Sequence, residues 1–120
     1  DNWEYFMRYT DGIIPLIQDL KNQGYNLYIL SNMTYHFINR KYKFPIFDFF
    51  DGIVFSAPIK MIKPNPEIYQ YLLDKFSLNP TESLFVDDIK ENLAGAARFG
   101  IKTFLFNNNA KELREFISTL

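Results

Sequence analysis

The sequence predicts an α/β domain built on a mainly parallel sheet. Two observations carry this: short apolar runs alternate with amphipathic stretches, and polar residues follow directly after the apolar runs. In such sheets ligands sit at the carboxyl ends of the strands, so those polar residues are the first candidates for function. The length of 120 residues suits one domain with a modest core. A hydrophobic fraction of 48%, with 13 Phe and 8 Tyr, is ample for a packed interior and excludes a disordered chain. The net charge of -1 offers no basic patch, so no nucleic-acid partner is expected. There is no Cys, which removes disulfides, thiolate metal sites and a Cys nucleophile. No apolar run approaches the roughly 18 residues needed to cross a bilayer, and no secretory signal is visible. The expectation is therefore a cytoplasmic protein with no membrane partner.

Each element has a local reason. In IIPLIQDLKNQ (13–23), Ile13, Leu16, Ile17 and Leu20 share a helical face, and Gly24 supplies a stop. Residues 26–30 (NLYIL) read as the first strand. Residues 34–42 read as a helix with Thr34 as N-cap, and residues 44–50 as an aromatic connector. GIVFS (52–56) is the second strand. Asn65 and Pro66 read as N-cap and first residue of a helix that puts Ile68, Leu72 and Phe76 on one face. LNPTES is a turn, residues 84–86 the third strand, and residues 89–99 a helix closed by Gly100. IKTFLF (101–106) is the fourth strand, residues 107–109 a loop, and residues 110–120 a last helix.

The polar residues after the strands are Ser31 and Asn32, Ser56, Asp87 and Asp88, and Asn107. Ser31 and Asn32 offer a hydroxyl and an amide to an anion above the sheet edge; the same pair also caps ordinary turns. Lys63 precedes Pro64-Asn65-Pro66, whose prolines fix where the loop meets the next helix. On such a mount the lysine is a pre-positioned charge for phosphate; the plain alternative is a solvated surface lysine. Asp87 and Asp88 are adjacent carboxylates at a strand end, where they repel each other. A hard cation such as Mg²⁺ removes that repulsion, whereas one carboxylate alone would be enough to cap the helix that follows. Asn92 lies one helical turn beyond Asp88, so its amide can face the same place. His36 is the single histidine, and no nucleophile-elbow glycines surround Ser31 or Ser56, so a Ser-His-Asp triad is not expected. Tyr69, Tyr71 and Phe76 read as packing.

In order and spacing these motifs resemble the haloacid dehalogenase-like (HAD) hydrolases, over about residues 10–107. LYILSN is similar to the family's second motif, KMIKPNPEIY to the third, and LFVDDIKENLAGAARFGI to the fourth, acidic one. The resemblance implies a Rossmannoid three-layer sandwich with a mainly parallel sheet. It implies that Ser31, Asn32 and Lys63 bind phosphate, with Ser31 and Lys63 serving catalysis. It makes Asp88 the Mg²⁺ ligand with Asp87 assisting, and Asn92 the support of the acidic loop. The double-Asp form is shared with sugar-phosphate phosphatases and with the phosphatase half of soluble epoxide hydrolases. The activity implied is Mg²⁺-dependent hydrolysis of a small phosphorylated metabolite through an aspartyl-phosphate.

One part of the family pattern is missing. Members open with a strand ending in Asp-x-Asp, and no such pair occurs here. Asp11 has no apolar strand before it, and Asp48 and Asp51 flank Phe49 and Phe50 in a connector. Residues 1–9 (DNWEYFMRY) resemble the tail of a helical cap. The expectation is that residues 1–10 are cap tail or linker and residues 11–120 the C-terminal part of the core. The first strand and most of the cap would then belong to a missing N-terminal segment of the same protein, the expected partner. That strand would lie between LYIL and LFV. It could come from that segment, from another copy by exchange, or be replaced by direct pairing of the two. Alone, the chain is expected to be inactive. A non-catalytic phosphate- or partner-binding module is the competing reading. A phospho-receiver domain is a third, opposed by an acidic pair that follows the third strand instead of the first.

Overall fold

The computed structural model describes residues 12–32 and 45–120. In order, these form α1 (Ile13–Asn22), β1 (Tyr28–Ser31), a 3-10 turn (Pro45–Phe49), β2 (Gly52–Phe55), the short α2 (Ser56–Ile59) and α3 (Pro66–Lys75). A second 3-10 turn (Pro80–Glu82), β3 (Leu84–Asp87), α4 (Lys90–Ala97), β4 (Lys102–Leu105) and α5 (Ala110–Ser118) complete the chain. The helix expected over 34–42, with Thr34 and His36, lies outside the described residues, as do Asp11 and the expected cap tail.

The alternation expected from the sequence is present, with local shifts. Helix α1 buries Ile13 and Leu16, and the chain leaves it through Gly24 at φ 93, a conformation cheap only for glycine. Strand β1 starts at Tyr28 and not at residue 26, because the Leu27 N–H donates to the Asp51 carboxylate instead of to a strand. Asp51 also accepts from Lys21 Nζ, so it ties α1 and the entry of β1 to the entry of β2. Ser56 opens α2 instead of ending β2. Asn65 occupies the N-cap of α3 as expected, yet its side chain makes no cap bond. Asn109 does cap α5, its side chain accepting from the Glu112 N–H.

All described strand pairing is parallel. Strand β1 pairs with β2 from Tyr28↔Gly52 to Ser31↔Phe55, and β3 with β4 from Leu84↔Lys102 to Asp87↔Leu105. Among the described residues these remain two separate two-stranded sheets. Direct pairing of LYIL with LFV, one of the open outcomes, therefore does not occur. Gly52 is required at its position: a Cβ there would stand 2.3 Å from the ring of Phe76, which packs on Tyr28.

Period-two alternation along β3 sends its side chains to two cores. Phe85 joins Leu30 of β1, Val54 of β2, and Ile68, Tyr69, Leu72 and Leu73 of α3, with Ala96 of α4. Leu84 and Val86 face the other way, against Ile13 and Leu16 of α1 and Ala110 and Leu113 of α5. Helices thus cover both faces, giving the three layers expected. The core under α3 and α4 spans both half-sheets, so burial there holds them together without strand pairing.

Candidate active site

The carboxyl end of β1 is Ser31, buried at the sheet edge, and Asn32 follows it. The Asn32 side chain grips the backbone of Lys63 at two points. Its Nδ2 donates to the Lys63 carbonyl at 3.2 Å, and the Lys63 N–H donates to its Oδ1 at 2.9 Å. The Asn65 N–H donates to the Ile62 carbonyl, closing a turn around Lys63, and Pro64 follows through a cis peptide. Held this way, Lys63 leans across from the end of β1 to the end of β3. Its Nζ donates to Asp87 Oδ2 at 2.7 Å and lies 5.5 Å from the centre of the Phe85 ring. Both side chains of the pair are nearly buried, at 10% and 6% exposure.

Asp87 is the last residue of β3 and receives three donors. The Ile89 N–H donates to its Oδ1 at 2.9 Å, and Asn92 Nδ2 donates to Oδ2 at 3.3 Å beside the lysine. Burial pushes its carboxyl up, but the charge and hydrogen bond of Lys63, with the Ile89 N–H, outweigh that and hold it below the ordinary carboxylate value. Asp88 is mostly exposed; the partial burial of its carboxyl and the neighbouring Asp87 push it above the ordinary value. Asn92 is buried in the first turn of α4, and its carbonyl accepts the Tyr69 hydroxyl at 2.7 Å.

The structure therefore brings Asn32, Lys63, Asp87 and Asn92 into one hydrogen-bonded network, with Ser31 beside Asn32 and Asp88 beside Asp87. Two details go beyond the sequence reading. The Asn32 side chain holds the Lys63 backbone and so orients the lysine, a role its place after the strand did not suggest. Asp87 is committed to Lys63, Ile89 and Asn92, which leaves Asp88 as the carboxylate turned to solvent. The helix cap expected of one carboxylate is not made: Ile89 occupies the N-cap of α4 with no side-chain cap bond, and Asp87 accepts the Ile89 N–H in a turn just ahead of the helix. Among the described residues no three His, Cys, Asp or Glu side chains cluster. The donor set fits Mg²⁺ held through one carboxylate, Asp88, with water completing the shell, since this ion keeps several waters. A raised carboxyl beside a second carboxylate is a place where added positive charge is favourable. Of the other polar residues that follow strands, Ser56 is buried at the start of α2 and Asn107 is exposed. Tyr69 reads from the sequence as packing alone; its hydroxyl partner is 23 residues away, beyond any local pattern.

The model of the haloacid dehalogenase-like hydrolases matches residues 3–106. The chain belongs to this family. It is 44% identical over 66 residues to bifunctional epoxide hydrolase 2 of Mus musculus, covering 55% of this chain and 12% of that protein. It is 34% identical over 92 residues to (S)-2-haloacid dehalogenase 4A of Burkholderia cepacia, covering 76% and 40% of the two chains. With the pyrophosphatase PpaX of Bacillus cereus it shares 29% over 104 residues, 86% of this chain and 48% of that one. Its fold also matches a HAD family enzyme of Bacteroides thetaiotaomicron, solved in complex with magnesium and inorganic phosphate. That match has a TM-score of 0.76 and 28% identity, over 83% of this chain and 55% of the other. This HAD hydrolase chain thus spans less than half the length of these curated relatives. No helix among the described residues is long and apolar enough to cross a membrane.

Proposed function

We propose that this HAD hydrolase chain carries the charge-stabilising half of a Mg²⁺-dependent phosphatase site for a small phosphorylated metabolite. The observation that carries the reading is the Asn32–Lys63–Asp87–Asn92 network, which joins the carboxyl ends of β1 and β3 with Asp88 exposed beside it. In the intact protein a carboxylate of an Asp-x-Asp strand attacks phosphorus, the bond to the ester oxygen breaks, and that oxygen takes a proton from the second Asp. Water then attacks phosphorus, releasing inorganic phosphate and the free carboxylate. Lys63 stabilises the negative charge of the phosphoryl group, and the Ser31 hydroxyl donates to one of its oxygens. Asn32 fixes the backbone of Lys63, while Asp87 fixes its ammonium. Asp88 would hold Mg²⁺, which would supply positive charge to offset that of the phosphoryl group. We assign residues 1–10 to the cap tail and 11–120 to the core, with the Asp-x-Asp strand seated between β1 and β3. Such a strand would satisfy the facing edges of both half-sheets, which pair with no other strand among the described residues.

The test is complementation with an aryl phosphate as substrate. The 120-residue chain alone should give no turnover, and joining it to its N-terminal segment with Asp-x-Asp should restore Mg²⁺-dependent phosphate release. Robust turnover by the chain alone would sink the assignment of roles. The identity with a haloacid dehalogenase favours a second reading, displacement of halide from a 2-haloacid. The exposed Asp88 beside Lys63 speaks for phosphate, because a bound cation serves a multiply charged phosphoryl group better than a halide. Halide release in the same assay, without phosphate release, would select the second reading.

A further inference from the structure

Helices α3 and α4 meet at an unusually close junction behind the site. A Cβ on Gly95 would stand 2.7 Å from Tyr69 Cε2, 2.8 Å from the Tyr69 hydroxyl and 3.0 Å from the Pro64 carbonyl oxygen. Only glycine lets α4 come this near to the residues that follow Lys63. Tyr69 is almost fully buried, edge-on to Phe85 at 5.8 Å and tilted against Phe99 at 6.0 Å. For packing alone a phenylalanine would fill this space. The hydroxyl adds a directional bond to the Asn92 carbonyl. Asn92 is the residue whose side chain reaches Asp87, over a bond of 3.3 Å that lies at the long end of the useful range. A displacement of a few tenths of an ångström in the first turn of α4 would break it.

Resting on the phosphatase reading, we infer that Tyr69 is a positioning residue for the acidic loop. Its hydroxyl pins the Asn92 carbonyl, Asn92 then holds Asp87, and the geometry of Asp87 sets where Asp88 presents its carboxylate. The Tyr69 hydroxyl keeps the proton that this bond needs, because burial and the nearby Asp87 charge push it up to about 12. Gly95 is the other half of the device, since it admits the phenol and the Pro64 carbonyl against α4. The ring that holds the acidic loop therefore sits six residues along the chain from Lys63, and both halves of the site hang on one helix start.

The test compares the 120-residue chain with Tyr69→Phe and, as a control from the same helix, Tyr71→Phe. The first readout needs no metal: hydrogen exchange of the Asn92 side-chain amide by NMR. Tyr69→Phe should speed this exchange about five-fold or more, and Tyr71→Phe should leave it unchanged. The second is titration with MgCl₂, followed at the amides of residues 87–92. Its midpoint should rise about five-fold in Tyr69→Phe, the equivalent of one neutral hydrogen bond of ~1 kcal/mol. If Tyr69→Phe fails to fold, Gly95→Ala strikes the same junction from the α4 side and should give the same two changes. A folded variant with wild-type exchange and a wild-type midpoint would overturn the inference, as would loss of fold in both variants. If Mg²⁺ leaves the wild-type amides of 87–92 still, the metal reading fails instead, and the exchange readout decides the role of Tyr69 on its own.

Discussion

Replacing Lys63 by methionine should destabilise the fold by about 3 kcal/mol, and the structure supplies the reasons. Methionine keeps most of the stem that packs near Phe85, so little volume is lost. What disappears is a charge 2.7 Å from a carboxylate, with both side chains nearly buried. At an effective dielectric of about 20, that separation corresponds to about 6 kcal/mol of gross attraction, part of which only offsets desolvation. Removing one member of a buried pair costs about 3–5 kcal/mol, because the other is left charged and uncompensated. Asp87 keeps the Ile89 and Asn92 donors, which puts the loss at the low end of that range. Urea unfolding at pH 7 measures it directly, with the midpoint falling and the slope unchanged. Adding Asp87→Asn to Lys63→Met should recover at least about 1 kcal/mol, since the stranded charge goes with it. A Lys63→Met chain within about 1 kcal/mol of wild type, or a double variant no more stable than the single, would refute this reasoning.

Gly52→Ala should cost about 2 kcal/mol, because the new methyl falls 2.3 Å from the Phe76 ring. Thermal melts check it, and Phe76→Leu in the same chain should return part of the loss. Asp51 gives the acid side of the stability profile. Lys21, by hydrogen bond, and the Leu27 N–H hold its carboxyl below the ordinary value, so its contribution is present above the unfolded pKa of about 4 and is lost as pH falls through the folded one. Asp51→Ala should therefore lose roughly 1 kcal/mol at pH 7, modest because the pair is solvated. The gap should narrow at pH 3; urea midpoints that stay equally far apart at both pH values would contradict it.

How much was legible in the sequence follows the range of the forces involved. The strands were visible because each is a short apolar run, and α1, α3 and α5 because their apolar residues recur at helical spacing. Helix α2 was not: Ser-Ala-Pro-Ile is four residues with a proline and carries no period. The three motifs named Lys63, Asp87 and Asn92, and the structure joins them, yet their spacing gave no hint that Asn32 would clamp the lysine's backbone. At Asp87-Asp88 a cap and a metal ligand look like alternatives in the sequence, whereas Asp87 gives one oxygen to the Ile89 N–H in the turn ahead of α4 and the other to Lys63 and Asn92, partners no local pattern shows. Tyr69 was hidden among apolar neighbours on α3, because what distinguishes it from phenylalanine is one bond to another helix. The gap between the two half-sheets was the opposite case: the absence of Asp-x-Asp alone pointed to it.

The most direct test of the site is titration of the 120-residue chain with inorganic phosphate in the presence of MgCl₂, followed residue by residue by NMR. Saturable shifts are predicted at Ser31, Lys63 and residues 87–92, with phosphate affecting Ser31 and Lys63 more strongly when Mg²⁺ is present. Phosphate shifts that are absent there, or that appear away from the ends of β1 and β3, would contradict the phosphatase account.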